Sequence, residues 1–233
     1  DAGAKDFSNH PNEKITEGLD GLRERLANYE SLGAKFCKWR GVITIGDQIP
    51  SESCIISNCN ALARYASLCQ ENNLVPIVEP EVLINGNHSI EACNTITRAT
   101  LKCLFEQLTA INIYYPGVIL KPSMVISGDK NEQRADYQTV ADMTVKCLKD
   151  NCPDDLGGIA FLSGGQSNDE ATNHLNIMNA DNKMPWRVTF SYARAIQQSA
   201  LNKWCGEDSN QSAAQDILAE RAKLCSASST GNL

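Results

Sequence analysis

Short apolar segments that alternate with amphipathic helical segments constrain the fold of this chain more than any other feature. Each apolar segment has the length of a single strand, and each is followed by a stretch in which apolar residues recur at helical spacing. This alternation is typical of βα units, which build a parallel sheet. The predicted strands are 34–40, 75–81, 117–122, 158–162 and 187–191. The sequence therefore predicts an α/β fold with five strands, each followed by a helix.

Helix ends are predicted from capping residues as well as from apolar spacing. Ser89 is a predicted N-cap, and Ser167 with Glu170 has the spacing of a capping box. The first 17 residues are polar and are predicted to be loop-like, and the Ser-rich residues 225–233 are predicted to form a mobile tail. No shift in composition divides the chain, so we expect residues 1–233 to form a single domain. The predicted helices are 18–32, 51–72, 89–108, 136–149, a helix starting at 167, 195–204 and a final helix ending near 224.

The composition excludes several classes of function. The formal net charge of −7 argues against a nucleic-acid partner, although an acidic exterior is compatible with a local cationic pocket for a small phosphorylated molecule. No apolar run reaches the length of about 18 residues that a membrane-spanning helix requires. We therefore expect no membrane association and a cytoplasmic protein.

Cysteines and histidines give no sign of a metal site. The 10 cysteines include no Cys-x-x-Cys pair, and several take apolar positions in helical patterns, so we expect them to be reduced structural thiols. The histidines His10, His88 and His174 are far apart and lie in polar surroundings. We predict that they lie at the surface, and we expect neither a metal nor another cofactor.

Charged residues close three of the predicted strands. Lys38 and Arg40 end the first strand, Glu79 and Glu81 end the second, and Lys121 follows the apolar part of the third. An ammonium group among apolar residues is costly without a function, and apolar burial together with a second cation favours the neutral, nucleophilic amine. Since the carboxyl ends of parallel strands meet, we predict one active site with Lys121 as its nucleophile. Solvated strand ends or a structural ion-pair network are the alternatives for these charges.

A turn through two glycines connects the fourth predicted strand to a capped helix. Gly164 and Gly165 would let backbone N–H groups approach an anion, the Ser163 hydroxyl adds a donor, and the helix N-terminus adds partial positive charge. Arg194, after the last strand, would close such a site with a charge-assisted hydrogen bond. By itself this turn is more often a plain strand-to-helix connection. Beside the lysine site, it predicts a phosphate pocket.

Five segments together resemble class I fructose-bisphosphate aldolases. They are Lys-Trp-Arg at 38–40, Val-Glu-Pro-Glu at 78–81, Leu-Lys-Pro-Ser-Met-Val at 120–125, Phe-Leu-Ser-Gly-Gly-Gln-Ser at 161–167 and Thr-Phe-Ser-Tyr-Ala-Arg at 189–194. They occur in family order, and the resemblance covers nearly all of the chain. It implies a (β/α)8 TIM barrel of which this chain supplies about five strands, from the fourth onward. Residue 1 would then be an arbitrary start within a longer enzyme.

The resemblance implies a role for each charged residue. Lys121 would form the Schiff base with the ketone of fructose 1,6-bisphosphate, and Glu79 would handle protons as the carbinolamine loses water. Glu81 would help to hold the lysine cluster. Lys38 would keep the neighbouring amine neutral and contact the sugar, and Arg40 would face the more distant phosphate.

The implied function is the reversible cleavage of fructose 1,6-bisphosphate to dihydroxyacetone phosphate and glyceraldehyde 3-phosphate in glycolysis and gluconeogenesis, without metal. A Schiff-base aldolase for another ketose phosphate and a non-catalytic aldolase-like scaffold are the alternatives. The resemblance also implies a homo-oligomer, commonly a homotetramer, and raises cytoskeletal proteins as partners.

Ala193 departs from the family, which usually has glycine there. The implied pocket for the phosphate on the ketose end consists of Ser163, Gly164, Gly165 and Arg194, with Ser191 nearby.

Overall fold

The computed structural model describes residues 2–181 and 184–233, which form an antiparallel hairpin and a five-stranded parallel sheet with helices. The hairpin strands are β1 (Gly3–Asp6) and β2 (Lys14–Glu17). The sheet strands are β3 (Phe36–Ile43), β4 (Val75–Val82), β5 (Ile119–Leu120), β6 (Gly158–Phe161) and β7 (Val188–Phe190). The helices are α1 (Leu22–Ser31), α2 (Glu52–Glu71), α3 (Ile90–Ala110), α4 (Tyr137–Asn151), α5 (Asn168–Ala180), α6 (Arg194–Trp204) and α7 (Gln211–Ser228).

The parallel sheet confirms the predicted α/β fold. Its strands pair in chain order from β3 to β7, and a helix follows each of them. Within residues 2–181 and 184–233 the sheet does not close on itself. Because all five strands run in the same direction, their carboxyl ends lie along one edge. The backbone N–H of Lys121 donates to the Val78 carbonyl at 2.8 Å, which aligns the end of β5 with β4.

Buried apolar side chains from both layers hold the helices on the sheet. Val78, Leu120 and Phe161 on the strands are fully buried, as are Leu62 on α2 and Leu104 on α3. The β5 strand has only two residues, yet both flanking strands pair with it. The packed core therefore fixes the positions of the strands that carry the charged residues. The prediction that Lys38 and Arg40 end the first strand is wrong, because β3 continues to Ile43 and stays paired with β4 over that stretch.

Both predicted helix caps are confirmed. The Ser89 hydroxyl accepts a hydrogen bond from the backbone of Ala92 at 3.3 Å. At the start of α5, the Ser167 hydroxyl accepts from the Glu170 N–H at 3.2 Å, and the Glu170 carboxylate accepts from the Ser167 N–H at 2.8 Å. The reciprocal pair satisfies two N–H groups that would otherwise lack partners at the helix end.

The prediction that residues 1–17 are loop-like is wrong for the described part of that segment. Strands β1 and β2 pair from Gly3 with Glu17 to Asp6 with Lys14. Their side chains are mostly exposed, so no alternation of apolar and polar residues marked them as strands. The Thr16 hydroxyl donates to the Arg40 carbonyl at 2.5 Å, which ties the hairpin to β3.

The predicted tail at 225–233 begins too early, because α7 continues to Ser228. Cys225 and Ser228 are both fully buried, and the Asn179 amide donates to the Ser228 carbonyl at 3.3 Å. The small side chains at the end of α7 let this helix pack closely on α5. Because these residues are mostly serine and alanine, their sequence did not indicate a buried helical turn.

The prediction of surface histidines is wrong for His88 and His174, which are buried. His88 lies between the exposed Asn87 and Ser89, whereas His174 lies next to Leu175 on a largely buried face of α5. His10 is partly exposed and stacks on Phe7, with ring centroids 4.1 Å apart. The predicted reduced state of the cysteines is confirmed, since all ten are free thiols. No helix in the described part of the chain is long and apolar enough to cross a bilayer.

Candidate active site

Glu79 lies between two lysines at the carboxyl edge of the sheet. Its Oε1 is 3.1 Å from the Lys121 ammonium, and its Oε2 is 2.9 Å from that of Lys38. The side chains of Glu79 and Lys121 are 5% and 13% exposed, whereas that of Lys38 is 41% exposed. The Lys38 contact is an ion pair without directed hydrogen-bond geometry. The structure thus brings three predicted residues from three strands into one cluster, open to solvent on the Lys38 side.

The sheet register explains this cluster. Arg40 lies opposite Glu79 in the parallel ladder between β3 and β4, which places Lys38 one pleat back on the same face. Lys121 follows directly after β5, the strand on the other side of β4. Glu79 on β4 therefore contacts one lysine from each neighbouring strand, Lys38 on β3 and Lys121 directly after β5.

A second ion pair continues the cluster along the edge. The Arg40 Nε donates to Glu81, whose side chain is 6% exposed, whereas the Arg40 side chain is 44% exposed. The other Glu81 oxygen lies 3.8 Å from the position that a Cβ atom on Gly164 would take. Glu81 therefore lies between Arg40 and the glycine turn.

The glycine turn has the backbone conformation that its sequence predicts. Gly164 and Gly165 have φ values of +57° and +89°, a region that side-chain-bearing residues rarely adopt. The turn is closed by a hydrogen bond from the Gln166 N–H to the Ser163 carbonyl at 2.9 Å. The Arg194 guanidinium lies 3.9 Å from the position that a Cβ atom on Gly165 would take. Arg194 and the turn are therefore neighbours across β6 and β7.

Ser191 and Ala193 are less closely connected to this arrangement. Ser191 is exposed at the end of β7, and its backbone N–H donates to the Phe161 carbonyl at 2.8 Å. Within the described residues, no hydrogen bond joins its side chain to the glycine turn. Ala193 has a φ of −105°, so this position does not require the conformational freedom of glycine.

Two polar residues at the turn, Gln166 and His174, were not predicted to belong to the site. Nδ1 of His174 lies 2.6 Å from the amide oxygen of Gln166, and both residues are buried. Burial lowers the pKa of His174 to about 4; Glu170 opposes this shift and Arg134 adds to it. Helical spacing was the available signal, because His174 shares the face of α5 that carries the buried Ala171 and Met178.

Known proteins are similar to this chain over nearly its whole length. The family model described as fructose-bisphosphate aldolase class-I matches residues 1–233. A probable fructose-bisphosphate aldolase class 1 of Xanthomonas campestris pv. campestris is 53% identical over 224 residues, which cover 96% of this chain and 67% of that protein. The cytoplasmic isozyme of fructose-bisphosphate aldolase from Spinacia oleracea is 42% identical over 224 residues, covering 96% of this chain and 62% of that isozyme.

A solved structure is similar as well. It is a ternary co-crystal structure of fructose-bisphosphate aldolase from Plasmodium falciparum in complex with TRAP and a small molecule inhibitor. Its TM-score is 0.95 at 43% sequence identity, and the match covers 99% of this chain and 67% of that chain. The likeness therefore extends from sequence motifs to the backbone as a whole.

Proposed function

This chain belongs to the class I fructose-bisphosphate aldolases, and from this premise we propose that Lys121 is the nucleophile that forms a Schiff base with the substrate. The enzyme reversibly cleaves fructose 1,6-bisphosphate to dihydroxyacetone phosphate and glyceraldehyde 3-phosphate, a step of glycolysis and gluconeogenesis. The observation that carries the Lys121 assignment is its nearly buried ammonium, 3.1 Å from the Glu79 carboxylate.

Glu79 is proposed to handle protons in the first half of the reaction. The neutral Lys121 amine attacks the C2 carbonyl, and the carbonyl oxygen takes up a proton to give a carbinolamine. Protonation of that hydroxyl lets it leave as water, and an iminium remains. Glu79 suits both transfers because it contacts the reacting nitrogen directly.

Bond cleavage then uses the iminium as an electron sink. A base takes the proton of the C4 hydroxyl, the C3–C4 bond breaks, and its electron pair moves into the iminium to give an enamine while the aldehyde product leaves. Glu79 is proposed as this base too. Protonation of the enamine at C3 and hydrolysis of the imine then release dihydroxyacetone phosphate and regenerate the Lys121 amine.

Lys38 is proposed to favour the neutral amine at Lys121. One carboxylate, Glu79, faces both ammonium groups, and it cannot fully neutralise two cations. The more exposed Lys38 keeps its contact with water and is available to the sugar.

The phosphate groups are proposed to bind on two sides of the lysine cluster. Ser163, the N–H groups of Gly164 and Gly165, and Arg194 form the pocket for the phosphate on the ketose end, with Ser191 at its rim. Arg40 extends toward solvent and is proposed to face the other phosphate. Glu81 holds Arg40 through their ion pair.

The five parallel strands are proposed to be part of a (β/α)8 TIM barrel, and residues 1–233 to belong to one domain. The TM-score of 0.95 to a solved aldolase supports this proposal. Glu81 near the end of β4 and Lys121 directly after β5 lie toward the face on which barrel enzymes act.

Two further proposals concern location and assembly. A cytoplasmic location is supported by the similarity to the Spinacia oleracea isozyme. A homo-oligomeric state is supported by the family resemblance alone.

Borohydride reduction in the presence of dihydroxyacetone phosphate tests the Lys121 assignment. Mass spectrometry should find one reduced triose phosphate on the peptide that contains Lys121. The adduct should disappear in Lys121→Met and persist in Lys35→Met, since Lys35 is an exposed lysine just before β3. An adduct on another lysine, or none in the wild type, would contradict the assignment. Measuring turnover with fructose 1,6-bisphosphate and with fructose 1-phosphate determines which of the two is the preferred substrate.

A further inference from the structure

A buried histidine supports the glycine turn from the side of α5. His174 lies in the second turn of this helix and is 1% exposed. Its Nδ1 is 2.6 Å from the side-chain oxygen of Gln166, the residue that closes the turn through its own N–H. The contact joins α5 to the proposed phosphate pocket without reaching into the pocket itself.

The chemistry of this contact sets the tautomer of His174. The Gln166 oxygen is an acceptor only, so Nδ1 carries the proton and donates it. The other ring nitrogen, Nε2, is buried and has no hydrogen-bond partner within the described residues. Protonating Nε2 would bury both a charge and an N–H group without an acceptor, so the imidazole stays neutral.

Neighbouring side chains hold the imidazole in place. The edge of His174 meets the ring of Tyr137 on α4, with centroids 5.1 Å apart and planes at 86°. Glu170 caps α5 and pairs with Arg134, which lies in the segment between β5 and α4, at 2.6 Å. These contacts restrict the orientation of the imidazole, and with it the direction in which Nδ1 of His174 donates.

The glycine turn needs such support because its own backbone is permissive. Two consecutive glycines lose more conformational freedom on ordering than other residues, and their N–H groups bind an anion well only when they are already oriented. The Gln166 side chain is the link between the end of this turn and α5.

We propose that His174 is a positioning residue for substrate binding: it donates to Gln166 and thereby keeps the turn from Ser163 to Gln166 in the conformation that holds the phosphate of the ketose. This inference rests on the proposed function, since that function assigns the phosphate to the turn. His174 itself touches neither substrate nor Lys121 in this assignment.

Three variants test the proposal in the full-length protein. His174→Leu removes the donor and keeps an apolar side chain in the site, whereas His174→Asn offers an amide N–H near the position of Nδ1. Asn179→Leu is the matched control, because it removes the two buried hydrogen bonds of a side chain on the same helix, away from the turn. We expect His174→Leu to raise the KM for fructose 1,6-bisphosphate about 5- to 10-fold with little change in kcat. His174→Asn should recover most of this loss, and Asn179→Leu should leave KM unchanged.

A phosphate-free ligand separates positioning from general damage. Borohydride trapping of dihydroxyacetone on Lys121 should be the same in wild type and His174→Leu, because this ketone carries no phosphate. In a double-mutant cycle, Gln166→Leu should add little to His174→Leu, since both remove the same hydrogen bond. An unchanged KM in His174→Leu, or an equal rise in Asn179→Leu, would overturn the proposal.

Hydrogen exchange provides a readout that does not depend on turnover. The N–H groups of Gly164, Gly165 and Gln166 should exchange faster in His174→Leu than in Asn179→Leu. Equal protection in the two variants would refute the positioning role even in a protein that shows no aldolase activity. Missing turnover in the wild type, combined with faster exchange in His174→Leu, would instead refute the proposed function alone.

Discussion

At the scale of single residues, one buried carboxylate organises the candidate active site. Glu79 is 4% exposed and contacts Lys38 on one strand and Lys121 after another. Glu81, two residues further along, contacts Arg40 instead. Two carboxylates on one face of β4 thus have different partners, and we assign them different roles. We propose that Glu79 transfers protons and that the ion pair of Glu81 helps to place the substrate.

Replacing each carboxylate separately tests this division. Glu79→Gln removes the proton acceptor beside Lys121, and we expect kcat to fall roughly 100- to 10,000-fold. Glu81→Gln weakens the hold on Arg40, and we expect mainly a higher KM for fructose 1,6-bisphosphate. Steady-state kinetics of the two purified variants decide the matter. Equal losses of kcat in both would mean that the two carboxylates act as one structural network.

At the scale of elements, β3 and β4 carry most of the charged residues of the candidate site, and the loop after β6 carries the glycine turn. The glycine turn lies between β6 and α5, and the ends of α5 are fixed by the capping box and by packing of α7. Ile84, which follows β4, lies against Gly165: its Cγ2 is 3.2 Å from the position that a Cβ atom there would take. The turn therefore has little space for a larger residue.

Two glycines with almost equal φ values separate backbone strain from function. Gly165 and Gly33 have φ values of +89° and +91°, and among the described residues no heavy atom other than those of Gly33 and its chain neighbours lies within 4 Å of a Cβ atom placed on Gly33. Alanine at either position should destabilise the protein by about 1 kcal/mol through backbone strain. Gly165→Ala should also raise the KM for the bisphosphate, and Gly33→Ala should not. Urea unfolding and steady-state kinetics measure the two effects, and a KM that rises in neither variant would place the phosphate elsewhere.

At the scale of the whole molecule, the buried histidine links folding stability to pH. The pKa of His174 is lowered from 6.5 to about 4 in the folded state, so the unfolded chain binds more protons between these values. Stability contributed by the neutral imidazole is fully present above pH 6.5 and is lost as the pH falls toward 4. Glu170 and Arg134 face this group and act in opposite directions.

This linkage predicts a difference between variants in acid. Between pH 7 and 4 the wild type should lose about 3 kcal/mol more of its unfolding free energy than His174→Asn, which has no imidazole to protonate. Asn179→Leu keeps His174 and should follow the wild-type slope. Urea unfolding across this pH range provides the comparison. Parallel curves for wild type and His174→Asn would mean that His174 does not titrate differently on folding.

The sequence alone determined the order of β3 to β7 and of the helices that follow them, the caps of α3 and α5, and the set of charged residues on β3, on β4 and directly after β5. These features depend on local rules, because apolar spacing and capping involve residues close together in the chain. Parallel strands also share one carboxyl edge, so a single active site could be predicted from topology, whereas the sheet register decided that Lys38 and Lys121 both meet Glu79.

Only the tertiary structure decided the hairpin of β1 and β2, the burial of α7 as far as Ser228, and the contact between His174 and Gln166. The strands of the hairpin are too exposed, and the end of α7 too polar, to leave an apolar pattern. The histidine contact depends on how α5 packs and on which way a single imidazole faces. Such contacts join side chains from different elements. Their free energy depends on burial, and burial arises only when segments that are distant in the sequence pack together.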